Sequence, residues 1–255
     1  MPGHWLLARL GKRVLRPGGL ELTHEMLRAL AIREADSVVE FAPGLGVTMR
    51  LVLECHPRSY TAIEQDEAAA RRVRHLLTGS SHQCIVGSAS NTGLSDESAT
   101  VVYGEAMLTM QGSEQKSQIV REAVRILKPA GRYGIHELCL VPDDLDPAVK
   151  REIQQALSET IHVGAKPLTV QEWRTLLEIE GFAIEAKARL PMGLLTPRRL
   201  IADEGVWGVL RIVRNLCRDT EARRRVLAMR RIFHKYRRHL AAIMLLGKKR
   251  SELNQ

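Results

Sequence analysis

Val38–Thr48, with the sequence VVEFAPGLGVT, is the stretch that decides the fold. It begins with β-branched apolar residues, as a buried strand requires, and Glu40 lies where that strand ends. Gly44 and Gly46 follow in the turn, and a glycine lets the backbone approach a ligand with no Cβ in between. The stretch therefore predicts a strand, a glycine turn and a helix that together border a ligand site.

A second strand is predicted in YTAIEQDE, Tyr60–Glu67, and an acid at its end, Glu64, suits hydrogen bonds from ribose hydroxyls. A dinucleotide fingerprint would need a third glycine, but the position three after Gly46 is Met49. Glu40 would also repel a pyrophosphate. The pattern instead favours a cationic nucleoside, and S-adenosylmethionine, with its ammonium and sulfonium groups, is such a ligand.

With these motifs the chain resembles the class I S-adenosylmethionine-dependent methyltransferases, in particular the small-molecule group that includes the methyltransferase type 11, ubiquinone-biosynthesis and phosphoethanolamine enzymes. The resemblance spans roughly residues 15–190 and includes the Leu-Lys-Pro-x-Gly element at residues 127–131. In that element we expect Pro129 to end a helix and Gly131 to free the turn, so that Arg132 starts the fifth strand.

The resemblance implies an α/β fold with a Rossmann-like sheet of seven mostly parallel strands. Its antiparallel last strand lies between the fifth and the sixth, and a helical cap is added. The resemblance also implies S-adenosyl-L-methionine as the cofactor and S-adenosyl-L-homocysteine as the product. Residues 1–31 are expected to form a helical segment over the cofactor site, residues 32–190 and 239–250 the Rossmann-like domain, and residues 191–238 the cap, inserted between strands six and seven.

The family pattern assigns cofactor binding to residues at several strand ends and to a Gly-Gly segment before the first long helix. The chain has Ala42 where the family has a glycine. The methyl group of Ala42 leaves less space around the methionine end of the cofactor. The chain has Ser88 where the family has an aspartate that contacts adenine. A serine can still accept one hydrogen bond. The predicted cofactor-binding residues are Gly18, Gly19, Glu40, Ala42, Pro43, Gly44, Gly46, Glu64, Gln65, Gly87, Ser88, Ala89, Gly104 and Glu105.

Methyl transfer by direct displacement asks mainly for alignment and desolvation, and a base is needed only where the acceptor starts protonated. Glu105, after the fourth strand, and His136 and Glu137, late in the fifth, are the candidate bases. Side chains alternate along a strand, so His136 and Glu137 are expected to point to opposite faces. For His136 the alternative is a packed or hydrogen-bonded strand histidine.

The positive charge of the chain is concentrated near its end. Residues 187–250 contain 18 Lys and Arg against 4 Asp and Glu, whereas the whole chain carries a net charge of +9. Arg218–Leu240 has apolar residues at helical spacing with arginines between them, which predicts an amphipathic basic helix. Its arginines could form a solvated face, contact nucleic acid or an anionic membrane surface, or face inward and hold an anionic substrate. The candidates for the last role are Arg198, Arg199, Arg230 and Arg231.

A small-molecule acceptor is the main prediction, with the acceptor atom open among oxygen, nitrogen, sulfur and carbon. The loop Tyr103–Met107 lacks the Asn/Asp-Pro-Pro-aromatic sequence of enzymes that methylate base nitrogens, and Cys139 lacks the Pro-Cys context of cytosine-carbon enzymes. A nucleic-acid methyltransferase remains an alternative because of the basic cap. A non-catalytic binding module remains another, because of the changes at Ala42 and Ser88.

The chain has 4 cysteines, far apart and without metal-ligand spacing, and its histidines form no paired pattern with acids. These observations predict reduced thiols and no metal. No run approaches the roughly 20 apolar residues that a membrane span needs. The sequence therefore predicts a cytoplasmic protein without a membrane-spanning segment.

Overall fold

The computed structural model describes residues 1–250. The strands are β1 Ser37–Phe41, β2 Ser59–Glu64, β3 His82–Val86, β4 Ala99–Glu105, β5 Leu127–Leu140, β6 Leu168–Thr169, β7 Phe182–Pro191 and β8 Leu240–Lys249. The helices are α1 Gly3–Arg9, α2 Gly19–Leu30, α3 Val47–Leu53, α4 Glu67–Leu76, α5 Ser113–Ile126, α6 Pro147–Ile161, α7 Val170–Ile179, α8 Pro197–Arg218 and α9 Thr220–Lys235. A short 3-10 turn covers Leu108–Met110.

All the strands belong to one sheet, in the order β3-β2-β1-β4-β5-β8-β7. The strands β1 to β5 pair in parallel, and β8 lies antiparallel between β5 and β7. The predicted α/β fold with a mostly parallel sheet and an antiparallel last strand is confirmed. The structure adds β6, a two-residue strand that pairs with the end of β5 and whose second residue, Thr169, is the N-cap of α7.

The sheet places the ends of β1 and β4 at a topological switch point. The chain leaves β1 toward β2 and β3 on one side and returns to β4 on the other. Open α/β sheets bind ligands in the crevice outside the carboxyl ends of such strands. The fold therefore predicts a ligand site among the loops that follow β1, β2 and β4.

The Leu-Lys-Pro-x-Gly element forms a bulge at the start of β5 rather than a separate turn. Pairing with β4 passes from Leu127 directly to Arg132. The residue in the left-handed region is Ala130, with φ +60°, and not Gly131, so the expectation that Gly131 frees the turn was wrong. Glycine is needed at position 131 for space, because a Cβ there would lie 2.8 Å from both Leu127 Cδ2 and the Lys128 carbonyl oxygen.

Two apolar layers cover the faces of the sheet and a third core lies at its carboxyl edge. One face packs against α5 and α7 through residues such as Ile119 and Trp173, and the other packs against α2 and α4 through residues such as Met26 and Val73. The third cluster joins α1, α6 and α9 to the ends of β5 and β8. This third core is the roof of the site described below.

Helices α8 and α9 lie between β7 and β8, in the segment predicted to form a cap. Helix α8 kinks at Gly205, whose φ is +69°. Just before the kink, the buried Asp203 accepts a hydrogen bond from the Leu20 amide (3.0 Å), and Glu204 accepts hydrogen bonds from the Arg13 and Val14 amides (2.8 and 2.9 Å). These bonds tie α8 to the first turn of α2, through Asp203, and to the segment between α1 and α2, through Glu204. Within residues 1–250, no helix is both long enough and apolar enough to cross a membrane.

Candidate functional site

The glycine turn after β1 is built from three residues with positive φ: Ala42 at +54°, Gly44 at +54° and Gly46 at +69°. Around a Cβ built at Gly44 the nearest atom is 4.0 Å away, so this glycine borders open space. At Gly46 a Cβ would lie 3.2 Å from both Leu76 and Met49, so Gly46 is required for packing and does not line the cavity. Ala42 thus has a left-handed backbone conformation that residues other than glycine rarely adopt.

Glu64, at the end of β2, holds the glycine turn in place. Its Oε2 accepts a hydrogen bond from the Gly44 amide and its Oε1 one from the Asp66 amide, both at 3.0 Å. Glu64, Gln65 and Asp66 all line the same cavity as Gly44 and Pro43. The structure thus brings together the acid and the turn that the sequence placed 20 residues apart.

Glu40 lines the cavity from the end of β1 and is 3% exposed. Its Oε2 accepts hydrogen bonds from the hydroxyls of Tyr60 and, at 2.6 Å, Tyr103. Burial raises the pKa of Glu40 to about 7, although both tyrosine hydroxyls and the positive charge of Arg16 oppose the rise. The same burial raises the pKa of each tyrosine well above 10, so both remain donors. Glu40 is therefore an acid whose charge a nearby cation would stabilise.

Glu105, at the end of β4, is the centre of a second polar cluster. Its Oε1 accepts hydrogen bonds from Thr23 Oγ1 and His136 Nδ1, both at 2.7 Å, and its Oε2 accepts one from Thr48. Arg16 Nε lies 3.3 Å from Oε1. Burial opposes ionisation of Glu105, but Arg16, His136 and Thr23 outweigh it and lower the pKa of Glu105 to about 2. Glu105 is thus an ionised residue that fixes its neighbours.

Arg16 is a buried cation of the cavity wall. Its side chain is 10% exposed, and its Nε donates to Thr23 Oγ1 at 2.7 Å. Its Nη2 is buried and has no hydrogen-bond partner among residues 1–250. An unpaired buried guanidinium nitrogen is costly, because it has lost its hydration without a replacement. Arg16 is therefore prepared for an anionic group at the same end of the cavity as Glu40.

His136 is fully buried, and both its ring nitrogens face oxygens that only accept hydrogen bonds. Nδ1 lies 2.7 Å from the ionised Glu105, and Nε2 lies 2.5 Å from the carbonyl oxygen of Pro17. The ring does not line the cavity. His136 therefore connects β5 to the segment that carries Arg16, and no ring nitrogen is left to receive a proton from an acceptor.

Glu137 points to the opposite face of β5, as its alternation with His136 predicts. Its two oxygens accept four hydrogen bonds, from the amides of Met107, Leu108 and Thr109 and from the Thr109 hydroxyl, at 2.7–3.0 Å. Burial raises the pKa of Glu137, although these same bonds oppose the rise. The carboxylate lies outside the cavity lining and holds the loop that follows β4.

Three glycines predicted to touch the cofactor have packing roles instead. At Gly18 a Cβ would lie 2.9 Å from that of Ala242, and at Gly19 a Cβ would lie 2.4 Å from Asp203 Oδ1. Gly104 packs on Phe41 of the neighbouring strand. None of the three lines the cavity. The residues of the Gly-Gly segment that face the cavity are the two before it, Arg16 and Pro17.

The loop after β3 is only partly as predicted. Gly87 and Ala89 line the cavity, but Ser88 does not. The Ser88 hydroxyl lies 2.8 Å from the Ser90 hydroxyl and accepts a hydrogen bond from the Ser90 amide at 3.3 Å. Because these local bonds occupy the serine, the structure does not direct it toward an adenine ring.

The cavity has a volume of about 590 Å³ and two chemically different ends. Its polar end contains Glu40, Glu64, Glu105 and Arg16. The other end is an apolar chamber whose walls come from α6, α9, the end of β5 and the loop after β7. The side chains that form this chamber are Met107, Met110, Leu138, Leu157, Ile161, Met192, Leu194, Met229 and Phe233.

The arginines of the cap do not reach the cavity. Arg198, Arg230 and Arg231 are exposed, and Arg199 pairs with Glu21 at 2.9 Å. The structure therefore does not bring these four side chains to a substrate, contrary to the inward-facing arrangement considered from the sequence. The arginines that line the cavity, Arg13 and Arg16, belong to the segment between α1 and α2, and neither was among the predicted cofactor-binding residues.

Sequence reasoning missed several residues that line the cavity or contact its walls. Tyr103 reaches Glu40 because the two are register partners on adjacent strands, which a sequence does not specify. His4, on α1, also lines the cavity, and burial lowers its pKa against the opposing charge of Asp66. For Arg16 a weak signal existed, since it directly precedes the Pro-Gly-Gly sequence.

Residues 1–250 contain no group of three or more His, Cys, Asp or Glu arranged to hold a metal ion. Cys84 and Cys139 are buried thiols, and Cys55 and Cys217 are exposed ones; no disulfide joins them. Burial raises the pKa of the Cys139 thiol to about 12, so it is a packed, protonated group. The polar part of the site described here is therefore built from carboxylates, guanidinium groups, an imidazole, hydroxyls and backbone.

Comparisons with known proteins agree with this geometry. A family model described as a methyltransferase domain matches residues 39–135. An uncharacterized protein of Haemophilus influenzae is 32% identical over 220 residues, which cover 84% of each chain. Among solved structures, a putative sarcosine dimethylglycine methyltransferase from Galdieria sulphuraria has a TM-score of 0.71 at 15% identity and covers 91% of this chain and 86% of its own.

A second structural relative is phosphoethanolamine N-methyltransferase 2 of Haemonchus contortus, solved with phosphomonomethylethanolamine and S-adenosylhomocysteine. It has a TM-score of 0.71 at 13% identity and covers 98% of this chain and 58% of its own. At these identities the two structural matches show a shared fold. The segment matched by the family model contains most of β1, the glycine turn, Glu64 and Glu105.

Proposed function

Because the chain belongs to the class I S-adenosylmethionine-dependent methyltransferases, we propose that it transfers a methyl group from S-adenosyl-L-methionine to an apolar small molecule. The observation that carries this proposal is one cavity with Glu40 and Arg16 at its polar end and an apolar chamber at the other. When bound, S-adenosyl-L-methionine supplies a methyl group on a positively charged sulfur, and S-adenosyl-L-homocysteine remains after transfer.

The polar end fits the amino-acid part of the cofactor, which carries an ammonium and a carboxylate. Glu40 offers a buried carboxylate to the ammonium, and Arg16 offers its unpartnered Nη2 to the carboxylate. The two side chains are close enough that the charge of Arg16 lowers the pKa of Glu40 against its burial. We therefore assign Glu40 and Arg16 as the pair that holds this zwitterionic group.

The adenosine part has partners on the neighbouring loops. Glu64 lies at the end of β2, where ribose hydroxyls are commonly bound in this fold. The space in front of Gly44 is open, and Gly87 and Ala89 form the wall on the β3 side. We assign ribose to Glu64 and leave Ser88 out of the site, because its hydroxyl is bound to Ser90.

The acceptor is assigned to the apolar chamber. Its walls are methionine, leucine, isoleucine and phenylalanine side chains, which favour an apolar molecule and exclude water from the reacting groups. Since Glu105, His136 and Glu137 are all held in hydrogen bonds, catalysis rests on alignment and desolvation. His4, neutral at pH 7 because burial lowers its pKa, is the cavity residue we assign to receive a proton from an acceptor that must lose one.

Two other functions considered from the sequence receive less support. A nucleic-acid methyltransferase would use the cap arginines, but these face away from the cavity. A non-catalytic module would have lost its cofactor contacts, but Glu40, Glu64 and the open space at Gly44 are all present. The apolar chamber also has no role in a module that only presents a basic surface.

Calorimetric titration with S-adenosylhomocysteine tests the proposal. We expect binding to the unaltered protein, at least about tenfold weaker binding for Glu64→Ala, and unchanged binding for the exposed neighbour variant Glu67→Ala. Absence of binding at millimolar ligand would leave the non-catalytic module as the explanation.

Transfer of a tritium-labelled methyl group tests the acceptor class. We expect label in phenols, fatty acids or other apolar acceptors that extract into organic solvent, and none in total RNA. Label that enters RNA in proportion to enzyme would overturn the small-molecule assignment while leaving methyl transfer itself intact.

A further inference from the structure

The outer surface of α8 carries an apolar stripe. Of the nine large hydrophobic side chains that residues 1–250 expose, five belong to this helix. They are Ile201 (51% exposed), Val206 (61%), Trp207 (84%), Leu210 (52%) and Val213 (49%). Contiguous exposed apolar surface on a monomer commonly marks an interaction site, whereas scattered apolar residues do not.

The geometry of the helix places the four of these side chains that follow the kink on one face. After the kink at Gly205, the residues Val206, Trp207, Leu210 and Val213 fall within about a third of the helix circumference, at roughly 100° per residue. The buried Gly208 and Ile212 lie on the opposite side and pack toward the protein. The segment therefore has one face fixed to the protein and a second, apolar face without a protein partner in residues 1–250.

The charges of α8 are also divided between its two sides, with the acidic residues buried and four of the arginines exposed. Its two acidic residues are buried: Asp203 is bound to the start of α2, and Glu204 to the segment between α1 and α2. Its exposed charged residues are all arginines: Arg198, Arg211, Arg214 and Arg218. At roughly 100° per residue, Arg214 falls within the apolar stripe and Arg211 and Arg218 fall beside it. The outer face of α8 is thus apolar in the middle and positive along its edge.

We propose that this face of α8, named here the α8 stripe (Ile201, Val206, Trp207, Leu210, Val213, Arg214 and Arg218), binds the surface of an anionic phospholipid membrane. A helix with an apolar face and flanking arginines lies in the interface plane, with aliphatic side chains below the headgroups. Tryptophan prefers the headgroup level, and guanidinium groups reach outward to phosphates. Nothing in this binding requires cofactor or methyl acceptor.

A membrane explains the composition of the stripe better than two other partners. A second copy of the chain, docked face to face, would bring like-charged Arg211, Arg214 and Arg218 together. Nucleic acid would match the charge, but four aliphatic side chains have no role against phosphates, and Trp207 is the one aromatic residue of α8. An anionic lipid surface satisfies both the apolar and the cationic parts.

The position of α8 also places the proposed membrane contact close to the cavity. Asn215 Nδ2 donates to the Leu10 carbonyl at 3.0 Å, and Arg211 Nη2 donates to the Gly11 carbonyl at 2.9 Å. The same segment continues into Leu15–Pro17, which lines the cavity. One layer of chain therefore separates the α8 stripe from the site.

Vesicle flotation of the full chain tests the proposal, with vesicles of phosphatidylcholine alone and of phosphatidylcholine mixed with phosphatidylglycerol. We expect binding to the mixed vesicles, weaker binding as salt is raised, and none to phosphatidylcholine alone. The double variant Trp207→Ser/Leu210→Ser should bind at least about tenfold more weakly. Each of Arg214→Gln and Arg218→Gln should cost about fivefold. Ile179→Ser, which removes an equally exposed apolar residue from α7, should bind normally.

Three results would overturn the proposal. The first is no binding to mixed vesicles at low salt, and the second is equal binding by the double variant and the unaltered protein. The third is a concentration-dependent dimer that Trp207→Ser/Leu210→Ser abolishes, since the stripe would then be covered by a second copy. Because all these variants change exposed side chains, circular dichroism and thermal unfolding should show that each one folds normally.

Discussion

His136 Nδ1 lies 2.7 Å from Glu105 Oε1, across the paired strands β5 and β4. The other ring nitrogen of His136 donates to the carbonyl of Pro17, so one imidazole joins the sheet to the segment that carries Arg16. This arrangement makes His136 a residue that positions the cofactor site and gives it no free nitrogen for catalysis.

Replacing His136 by phenylalanine therefore tests a positioning role. His136→Phe keeps a ring in place but removes both hydrogen bonds, so we expect the free energy of unfolding to fall by about 2–4 kcal/mol. S-adenosylhomocysteine should bind roughly tenfold more weakly, because the segment with Arg16 is no longer anchored. The exposed variant His24→Phe is the control. A catalytic base at His136 would instead give unchanged ligand affinity and stability with a lower kcat.

Glu137→Ala should destabilise the protein strongly. The change leaves three backbone amides and the Thr109 hydroxyl without their acceptor in a buried position, which we expect to cost about 3–5 kcal/mol of unfolding free energy. Urea unfolding measures this cost. Normal stability combined with lost activity would contradict the structural role and return Glu137 to the list of candidate bases.

Ligand affinity should depend on the titration of Glu40. Burial raises the pKa of Glu40 to about 7, so the carboxyl group is mostly protonated at pH 6 and mostly ionised at pH 8. A cationic ammonium binds the ionised form, so affinity for S-adenosylhomocysteine should rise from pH 6 to pH 8 and stay flat in Glu40→Gln. The groups beside Glu40 do not change charge in this range, since Glu105 is ionised above about pH 2 and the pKa of Cys84 is raised to about 11 by burial.

The same pKa shift has the opposite sign for stability. A carboxyl group whose pKa is raised by folding stabilises the folded state at low pH, and that contribution is lost as pH rises through the folded pKa. Glu40→Gln, without ligand, should therefore be more stable than the unaltered protein at pH 8 by roughly 1–3 kcal/mol and no more stable at pH 4. A destabilised Glu40→Gln protein at pH 8 would contradict this account.

Ala42 occupies a left-handed backbone position, with φ +54°. In Ala42→Gly, relief of that conformation offsets the entropy that glycine loses on folding, so we expect the unfolding free energy to change by less than about 1 kcal/mol. Ala42→Val should lower it by more than about 1 kcal/mol, because β-branched residues tolerate this region least. Binding of S-adenosylhomocysteine should be kept or improved in Ala42→Gly. Weaker binding there would mean that the methyl group of Ala42 contacts the ligand favourably.

The site residues that the sequence predicted belong to short motifs. Those that it missed are held in place by residues far away along the chain. Glu40, Gly44 and Glu64 follow from strand and turn chemistry within a few residues. Arg16 reaches the cavity because its segment is fixed by Glu204, which lies 190 residues away from Val14 in the chain. Spacing within a motif carries no information about such a contact.

The errors have equally specific causes. Gly18 and Gly19 were assigned to the cofactor because glycine permits close approach, but the atoms that approach them belong to Ala242 and Asp203. Ser88 was assigned by position alone, and Ser90, two residues later, takes its hydroxyl. Inward-facing arginines were one of three alternatives that the charge of the cap left open, beside a solvated face and a contact with nucleic acid or a membrane surface. The inward-facing side chains of the cap, Met229 and Phe233, are instead the apolar ones.

The most direct test of the central claim compares the calorimetric affinities of S-adenosylhomocysteine and methylthioadenosine at pH 8. Methylthioadenosine keeps the nucleoside but lacks the ammonium and the carboxylate that we assign to Glu40 and Arg16. We expect the unaltered protein to prefer S-adenosylhomocysteine by at least about a hundredfold, and Glu40→Gln and Arg16→Gln each to reduce that preference to below about tenfold. Affinity for methylthioadenosine should stay within about threefold. A preference that survives both substitutions would contradict the assignment of Glu40 and Arg16.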